Sequence, residues 1–316
     1  MGYTLCVLGC GTMGIAITSG VLASLHPQSL LHGLNSGQPK WESHTPGTST
    51  PTPVADDDPR LPSRFIACVQ REESARRLRE KFRAVLGGDA VQVTVGANVS
   101  AVQLSDVVLL CCKPQGASSI LNESGIKEAL AGKLLISILT GVTIAQLSAW
   151  VFPSTTVVRA MPNVACRIRE GMTVVSTLPS SDSEGLSKQI VLQIFSSIGR
   201  CRFLEERHFD ASTALSGSGP AFACIFLEAM ADGGVMMGLP RAEALELASQ
   251  SLQGAARMAL QPGAHPAQIK DSVTTPGGCT IAGLLALEDG RVRSTIARAI
   301  QVATERASEL GQPTTK

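Results

Sequence analysis

The chain of 316 residues is poor in aromatic side chains and almost neutral, with one tyrosine, five histidines and a net charge of +1. The tyrosine, Tyr3, stands at the start of the chain, which excludes a dehydrogenase that relies on a Tyr-x-x-x-Lys pair. The histidines form no H-E-x-x-H pair and none has an evident acidic partner, so we expect neither a metal site nor Ser-His hydrolysis. Because positive and negative charges nearly balance, the net charge does not favour binding to nucleic acid or to an anionic membrane.

The nine cysteines are an odd number and include no C-x-x-C pair. Most lie in apolar runs, where a free cysteine acts as a small core residue. We therefore expect a reducing, cytoplasmic environment with neither a disulfide framework nor zinc. The apolar N-terminus lacks the basic stretch of a secretory signal. The longest apolar run, 219–239, is interrupted by Glu228 and Asp232, so we expect no membrane span.

A third absence concerns lysine, which does not occur from Asp210 to Met237. Within that range, residues 215–222 resemble the segment where hydroxyacid dehydrogenases place a catalytic lysine. Oxidation of an alcohol needs a base to take the hydroxyl proton, and the sequence offers none there. Reduction of a C=N bond needs less acid–base assistance, since an iminium already carries its proton and accepts hydride directly. A hydroxyl donor and an anchor for a carboxylate would suffice.

Short apolar runs alternate with helical patterns over the first two thirds of the chain, which indicates a parallel α/β sheet. The predicted strands are 3–8, 65–69, 91–95, 106–112, 133–139 and 155–160, and 172–178 and 201–204 could extend the sheet. The first predicted helix follows the glycine motif 9–14 and ends at about residue 25, and the later ones are 72–85, 120–130, 144–150 and 184–197. Strand patterns end at Phe209, and long helical patterns follow at 220–237, 240–260 and 292–310.

Two domains are predicted, 1–206 and 207–316. Residues 33–63 break the periodicity and are rich in Pro, Gly, Ser and Thr, so we expect a flexible surface insertion in the first domain. The helical pattern at 220–237 is apolar on nearly every face and must be covered all round. We therefore expect the helical domain to pack against another subunit.

The first strand is followed by Gly9-Cys10-Gly11-Thr12-Met13-Gly14, which opens a helix. This spacing provides a tight turn, close approach of a pyrophosphate and close helix–strand packing, and it predicts dinucleotide binding. The alternative is a glycine-rich turn that binds nothing.

The second strand ends in Gln70-Arg71 without a carboxylate. Arg71 can pair with a 2′-phosphate, which favours NADPH over NADH, although it could also be a solvated arginine. Cys111-Cys112-Lys113-Pro114 and Thr140-Gly141 follow later strands. Since ligands bind at the carboxyl ends of strands in open α/β sheets, we expect these residues along the cofactor cleft, although a Lys-Pro after a strand is often only a turn.

Residues 271–283 place a Pro-Gly-Gly turn and several threonines directly before an apolar helical pattern at 281–287. Glycines let a ligand approach the backbone, and the start of a helix offers unpaired N–H groups and a positive dipole end. The segment therefore predicts a cradle for a carboxylate or phosphate. The alternative is a capped start of a helix.

Residues 271–284 resemble the signature of the pyrroline-5-carboxylate reductase family, as do residues 215–222 with their continuation 231–240. The segment beginning Arg159-Ala-Met-Pro-Asn-Val is similar to a further motif of the family, and Gly9 to Gly14 and Lys113-Pro114 match its cofactor motifs. The resemblance covers nearly the whole chain outside residues 33–63.

The resemblance implies reduction of 1-pyrroline-5-carboxylate to L-proline with NADPH, or NADH, by a Rossmann domain followed by a helical dimerisation domain. It also implies homodimers that often assemble into decamers. Asn98, Gln70 and Arg71 should contact the adenosine ribose, and Cys111–Pro114 the nicotinamide side.

By the same resemblance, Gly277, Gly278, Cys279 and Thr280 should hold the substrate carboxylate, with Thr280 near the ring nitrogen. Glu206 matches an acidic residue near the substrate. Ser272 stands where some members have asparagine. Two further interpretations stay open: another cyclic imino acid as substrate, and a non-catalytic NADP-binding protein of the same fold.

Overall fold

The computed structural model describes residues 2–25, 58–85, 87–178 and 185–310. These residues fall into two compact units. The first comprises the described residues up to Gly217 together with those from Arg306 onward, and the second is Ser218–Glu305. Most of the predicted insertion, residues 33–57, lies outside the described residues.

The first unit is built on an eight-stranded sheet with the order β3-β2-β1-β4-β5-β6-β7-β8. Its strands are β1 Tyr3–Leu8, β2 Pro62–Val69, β3 Val91–Val95, β4 Val107–Leu110, β5 Leu134–Ser137, β6 Thr156–Met161, β7 Gly171–Ser176 and β8 Gly199–Leu204. Neighbouring strands are parallel except β6 and β7. The order of the first six strands is that of dinucleotide-binding sheets, which confirms the predicted parallel α/β domain.

The strand β1 lies at the centre of the hydrophobic core and is buried at every position. Because side chains alternate along a strand, Leu5 and Val7 join the core on one face, and Cys6 and Leu8 join the core on the other. Burial on both faces explains why the strands are nearly continuous apolar runs.

Helices cover the two faces of this sheet. They are α1 Thr12–Leu25, α2 Glu72–Arg83, α3 Asn98–Gln103, α4 Ala117–Leu121, α5 Ile126–Leu130, α6 Ile144–Ala149, α7 Leu186–Ser196 and α8 Phe209–Ser212. The prediction of one helix over 120–130 is wrong, since α4 and α5 are separate. The amide of Asn122 donates to the Ser118 carbonyl at 2.8 Å, and Gly125 has a φ of 90°, which an α-helix does not allow.

The strand β2 begins at Pro62, before the predicted start at residue 65. The N–H of Tyr3 donates to the Leu61 carbonyl at 3.1 Å, and Tyr3 pairs with Pro62. Pairing with β1 therefore draws residues 62 and 63 into the sheet.

The strands β7 and β8 extend the sheet, as the apolar runs at 172–178 and 201–204 indicated. A parallel crossover needs about 10–12 residues with its helix, and residues 162–170 hold only a 3₁₀ turn, Val164–Ile168. The chain therefore turns back, and β7 runs antiparallel to β6.

The second unit is helical, and no strand follows Phe209 among the described residues, as predicted. Its helices are α9 Gly219–Met236, α10 Arg241–Ala259, α11 Pro266–Ser272, α12 Cys279–Asp289 and most of α13 Val292–Leu310. In α9 only Ala231 is buried, while Ile225 is 68% and Met236 81% exposed. Exposed apolar surface of this extent marks a protein–protein contact.

By length and composition alone, one helical stretch among the described residues, Glu206–Met236, could cross a membrane, with a mean hydropathy of 1.3. A single stretch of this kind is weak evidence for a span, because apolar helices of other origin meet the same criterion.

Candidate functional site

The glycine loop between β1 and α1 is shaped by the backbone of the neighbouring strand. The N–H groups of Gly9 and Cys10 both donate to the Cys68 carbonyl at the end of β2, at 3.1 and 3.0 Å. The first N–H groups of α1 follow directly, and the start of a helix leaves such groups without carbonyl partners in the helix. Together with the positive end of the helix dipole, they suit a pyrophosphate.

Each of the three glycines meets a different steric demand. Gly9 has a φ of 75°, and a Cβ there would lie 2.8 Å from the Cα of Cys112. A Cβ on Gly14 would lie 3.0 Å from Cγ1 of Val7, so this glycine lets α1 approach β1 closely. A Cβ on Gly11 would meet only the Gly9 carbonyl oxygen, at 3.9 Å. The space beside Gly11 is therefore open to a ligand, and the loop fits a dinucleotide.

The remaining residues predicted to bind the cofactor lie at the carboxyl ends of parallel strands. Gln70 and Arg71 follow β2, Asn98 follows β3, Cys111 to Pro114 follow β4, and Thr140 and Gly141 follow β5. Because β1 to β6 are parallel, these ends share one edge of the sheet. The structure thus gathers all of these residues along the edge where open α/β sheets bind ligands.

Two of these positions differ in their surroundings. Arg71 is exposed and directly precedes α2, with extended backbone. Asn98 is the first residue of α3, and its amide donates to a carboxylate oxygen of Glu123 at 2.9 Å. Asn98 can still offer its side-chain carbonyl oxygen to a hydroxyl.

Three thiols along this edge are held in the protonated form. Burial raises the pKa of the Cys10 thiol to about 12 and that of the Cys112 thiol to about 11. Burial also raises the pKa of Cys111 well above its usual value. These three positions therefore present neutral thiols rather than thiolates near neutral pH, and such thiols would not repel phosphate groups.

Glu206 lies in the first unit, after β8, and is 33% exposed. Its Oε1 accepts the N–H of Ile144 at 2.8 Å and lies 3.1 Å from Nη1 of Arg159. Ile144 begins α6, so the carboxylate meets the positive end of that helix, which suits a negative charge. Thr143 caps the same helix in a capping box with Gln146.

The other residues predicted to bind substrate lie in the second unit, in the turn between α11 and α12. Ser272 ends α11, and its hydroxyl donates to the Ile269 carbonyl at 2.7 Å. Gly278 is the N-cap of α12, and Cys279 and Thr280 are the first two residues of that helix. The structure thus places these residues in one short segment, with the free N–H groups of the first turn beside Thr280.

The two glycines of this turn have distinct roles. Gly277 has a φ of 67°, which favours glycine, and a Cβ there would meet nothing within 4 Å. A Cβ on Gly278 would collide with Oγ1 of Thr275. The turn is therefore open on one side and closely packed on the other, as a cradle for a small anion requires.

Three features of these sites were not predicted from the sequence. Arg159 was given no role, although an arginine inside the apolar strand β6 is itself a signal that a charge is paired there. The helix α3, which begins at Asn98, was not predicted. Nor was α11, whose first turn is capped by Nδ1 of His265, which accepts the N–H of Ala267 at 3.2 Å. Among the described residues, no group of three or more His, Cys, Asp or Glu side chains could hold a metal ion.

The fold and the glycine loop define an α/β protein that binds a dinucleotide and carries a helical C-terminal unit. A family model described as pyrroline-5-carboxylate reductase dimerisation matches residues 206–310. A second, described as NADP oxidoreductase coenzyme F420-dependent, matches residues 53–141.

Two fungal pyrroline-5-carboxylate reductases are similar over nearly their whole length. The protein of Schizosaccharomyces pombe is 45% identical over 97% of this chain and 99% of its own. That of Lophium arboricola is 46% identical over 98% of this chain and 93% of its own. The chain belongs to the pyrroline-5-carboxylate reductase family.

A solved structure supports the same relationship. The Plasmodium falciparum pyrroline carboxylate reductase with NADP bound has a TM-score of 0.72 and 26% identity, covering 98% of each chain. The family predicted from the sequence motifs is thus confirmed.

Proposed function

We propose that this protein reduces 1-pyrroline-5-carboxylate to L-proline with NADPH, the last step of proline biosynthesis. The observation that carries the proposal is the 45% identity to the S. pombe enzyme over 97% of the chain. The open glycine loop and the turn before α12 would supply the two binding functions that such a reaction requires.

The cofactor residues would be those at the carboxyl edge of the sheet. The loop Gly9–Gly14 would hold the pyrophosphate through N–H groups, and Gln70, Arg71 and Asn98 would hold the adenosine ribose with its 2′-phosphate. The residues along the nicotinamide would be Cys111, Cys112, Lys113, Pro114, Thr140 and Gly141. When bound, NADPH supplies the hydride that the C=N carbon accepts. The exposed guanidinium of Arg71 favours NADPH, although NADH remains usable.

The substrate residues would be those of the turn before α12. The first N–H groups of the helix and the Gly277–Gly278 turn would bind the carboxylate of the imino acid. Thr280 would donate a hydrogen bond near the ring nitrogen, and Ser272 and Cys279 of the same segment would also bind substrate. In the first unit, Glu206 is proposed as a further substrate residue. Because the iminium carries its own proton, the chain needs to orient the substrate and exclude water more than to move protons.

The functional division of the chain would be 1–206 for the cofactor and 207–316 for substrate and dimerisation. The exposed apolar face of α9 would form the homodimer, and dimers would assemble further into a particle such as a decamer. We place the protein in the cytoplasm, without nucleic acid or membrane as partners.

Complementation of a proline-auxotrophic strain tests the function directly. Growth without proline, together with NADPH consumption on 1-pyrroline-5-carboxylate, is the expected result. The purified protein is compared on the six-membered cyclic imino acid, and a preference for that ring would redirect the proposal to another pathway. A folded protein that binds NADPH and reduces neither ring would be a non-catalytic relative.

A further inference from the structure

We propose that Arg159 is a positioning residue for this reaction, holding Glu206 so that one carboxylate oxygen faces the cationic nitrogen of the imino acid. The inference rests on the proposed function. It starts from a buried charge that the cofactor and substrate residues named above do not explain.

Arg159 lies in β6 and is 3% exposed. Its strand neighbours Val158 and Ala160 are fully buried. A buried guanidinium is unfavourable unless a counter-charge and hydrogen-bond acceptors surround it. The position thus requires a reason beyond packing, since an apolar side chain would suit the strand better.

The guanidinium is fixed from two sides. Nη1 lies 3.1 Å from Oε1 of Glu206, and the guanidinium carbon lies 4.8 Å from the centre of the Phe209 ring. The backbone is held as well, because the N–H of Arg159 donates to Oγ of Ser176 at 3.0 Å. Arg159 therefore has little freedom to follow a moving partner, and Glu206 is held to it.

The buried Nε of Arg159 has no acceptor among the described residues. Buried donors without partners are rare and destabilising. The unpartnered Nε therefore adds to the free-energy cost of burying this guanidinium, which packing alone does not explain.

The carboxylate of Glu206 is asymmetric in its contacts. Oε1 accepts both the N–H of Ile144 and Nη1 of Arg159. Within the described part of the chain, no donor to Oε2 is seen at hydrogen-bond distance, and Glu206 is 33% exposed. One oxygen is therefore saturated by the protein, and the other remains an acceptor for a ligand.

The same contacts join three segments of the first unit. Ile144 follows the turn at Thr140 and Gly141, Arg159 belongs to β6, and Glu206 follows β8. A carboxylate with one free oxygen suits a protonated ring nitrogen, since charge-assisted hydrogen bonds are the stronger kind. Removing Arg159 would free Glu206 to turn away, and weaker orientation of the ring would follow.

The experiment compares R159M, R159K, E206Q and the double variant R159M/E206Q with the full-length wild type. Steady-state kinetics on 1-pyrroline-5-carboxylate gives kcat and KM, and fluorescence titration gives the Kd for NADPH. The matched control is R202M, an exposed arginine of β8, which should leave all three values unchanged.

We expect R159M and E206Q each to lower kcat/KM about tenfold or more, mainly through KM, with the Kd for NADPH within about threefold of wild type. The kcat/KM of the double variant should lie within about threefold of that of the less active single variant, since the losses from two residues that act through one contact are not additive. R159K should recover part of the loss, because it restores the charge.

The proposal is overturned if folded R159M keeps kcat/KM within about twofold of wild type, or if the two losses multiply in the double variant. If R159M does not fold, R159K takes its place in the double-mutant cycle with E206Q, and F209L is combined with E206Q in a second cycle. Losses of kcat/KM that multiply in these double variants also overturn the proposal. A wild-type protein that binds NADPH but reduces no cyclic imino acid refutes the proposed function itself. A wild-type protein that reduces the imino acid, together with an R159M variant whose kcat/KM is unchanged, refutes only the inference about Arg159.

Discussion

A Cβ on Gly9 would lie 2.8 Å from the Cα of Cys112, so the loop after β1 passes directly against the backbone that follows β4. No rotamer change can relieve this contact, because the backbone fixes the position of a Cβ and the Cα of Cys112 is itself a backbone atom. Since Gly9 also has a φ of 75°, it is the most constrained position of the cofactor loop.

The substitution Gly9→Ala should therefore destabilise the protein and abolish NADPH binding. The left-handed backbone costs about 1–2 kcal/mol for alanine, and overpacking adds about 1–3 kcal/mol. Gly11→Ala is the matched control, since a Cβ there meets only one atom, at 3.9 Å. It should keep the melting temperature but raise the Kd for NADPH about tenfold, or about 1.4 kcal/mol. Equal melting temperatures for Gly9→Ala and Gly11→Ala would contradict the steric role assigned to Gly9.

Replacing Arg71 by alanine should reduce the preference for NADPH over NADH. A charge-assisted hydrogen bond to the 2′-phosphate contributes about 1.5–3 kcal/mol, or roughly 10- to 150-fold in affinity. Arg76 on the following helix α2 is 83% exposed and lies 3.7 Å from Glu80, so Arg76→Ala serves as the control. The ratio of kcat/KM for the two cofactors is the measurement, and an unchanged ratio in Arg71→Ala would remove the residue from the site.

Replacing Thr280 by valine should lower the rate with little loss of stability. The N-cap of α12 is Gly278 and not Thr280, so the hydroxyl does not cap the helix. Loss of a donor near the reacting nitrogen should lower kcat about 10²–10⁴-fold. Thr304→Val in α13, which loses a bond to the Ile300 carbonyl, controls for removal of a hydroxyl. Full activity in Thr280→Val would refute the donor role.

Stability should fall at alkaline pH because the buried thiols of Cys10 and Cys111 hold their protons more tightly in the folded protein. The pKa of Cys10 is raised from 9.0 to about 12, so its contribution is complete below pH 9.0 and is lost as the pH rises towards about 12. Lys133 changes stability in the opposite sense, because burial lowers its pKa. Urea unfolding at neutral pH and at pH about 10.5 should show a smaller pH-dependent loss in Cys10→Ala. An identical loss in both proteins would exclude Cys10 as the source.

The exposed face of α9 should hold two copies of the chain together. Ile225 is 68% exposed in the single chain, and a glutamate there would place a charge in an apolar contact, which costs several kcal/mol when unpaired. Ile225→Glu should therefore dissociate the assembly in a sedimentation run at micromolar concentration. Gln250→Glu on α10 is the control, and a wild-type monomer under these conditions would disprove the interface.

The sequence predicted those parts of the fold that depend on local pattern. The strand 3–8 has the predicted bounds, and the first helix ends at the predicted residue 25, because apolar runs and glycine spacing specify them locally. The break between α4 and α5 was missed, since an apolar pattern at helical spacing does not reveal that Gly125 adopts a left-handed backbone.

The site could be predicted only where a motif is contiguous in the chain. The residues of the glycine loop and of the turn before α12 each occupy one short segment. The contact between Arg159 and Glu206 spans 47 positions, and that between Ile144 and Glu206 spans 62. Such pairs depend on how strands and loops meet in three dimensions, and no local propensity encodes them.

The carbonyl of Cys68 accepts hydrogen bonds from two N–H groups of the cofactor loop, and neither bond involves a side chain. The shape of the loop is therefore independent of which small side chain stands at positions 10 and 68. An alanine at either position should keep these two main-chain hydrogen bonds. Such a variant would keep the curvature that receives the pyrophosphate, because the main chain of the adjacent strand imposes it.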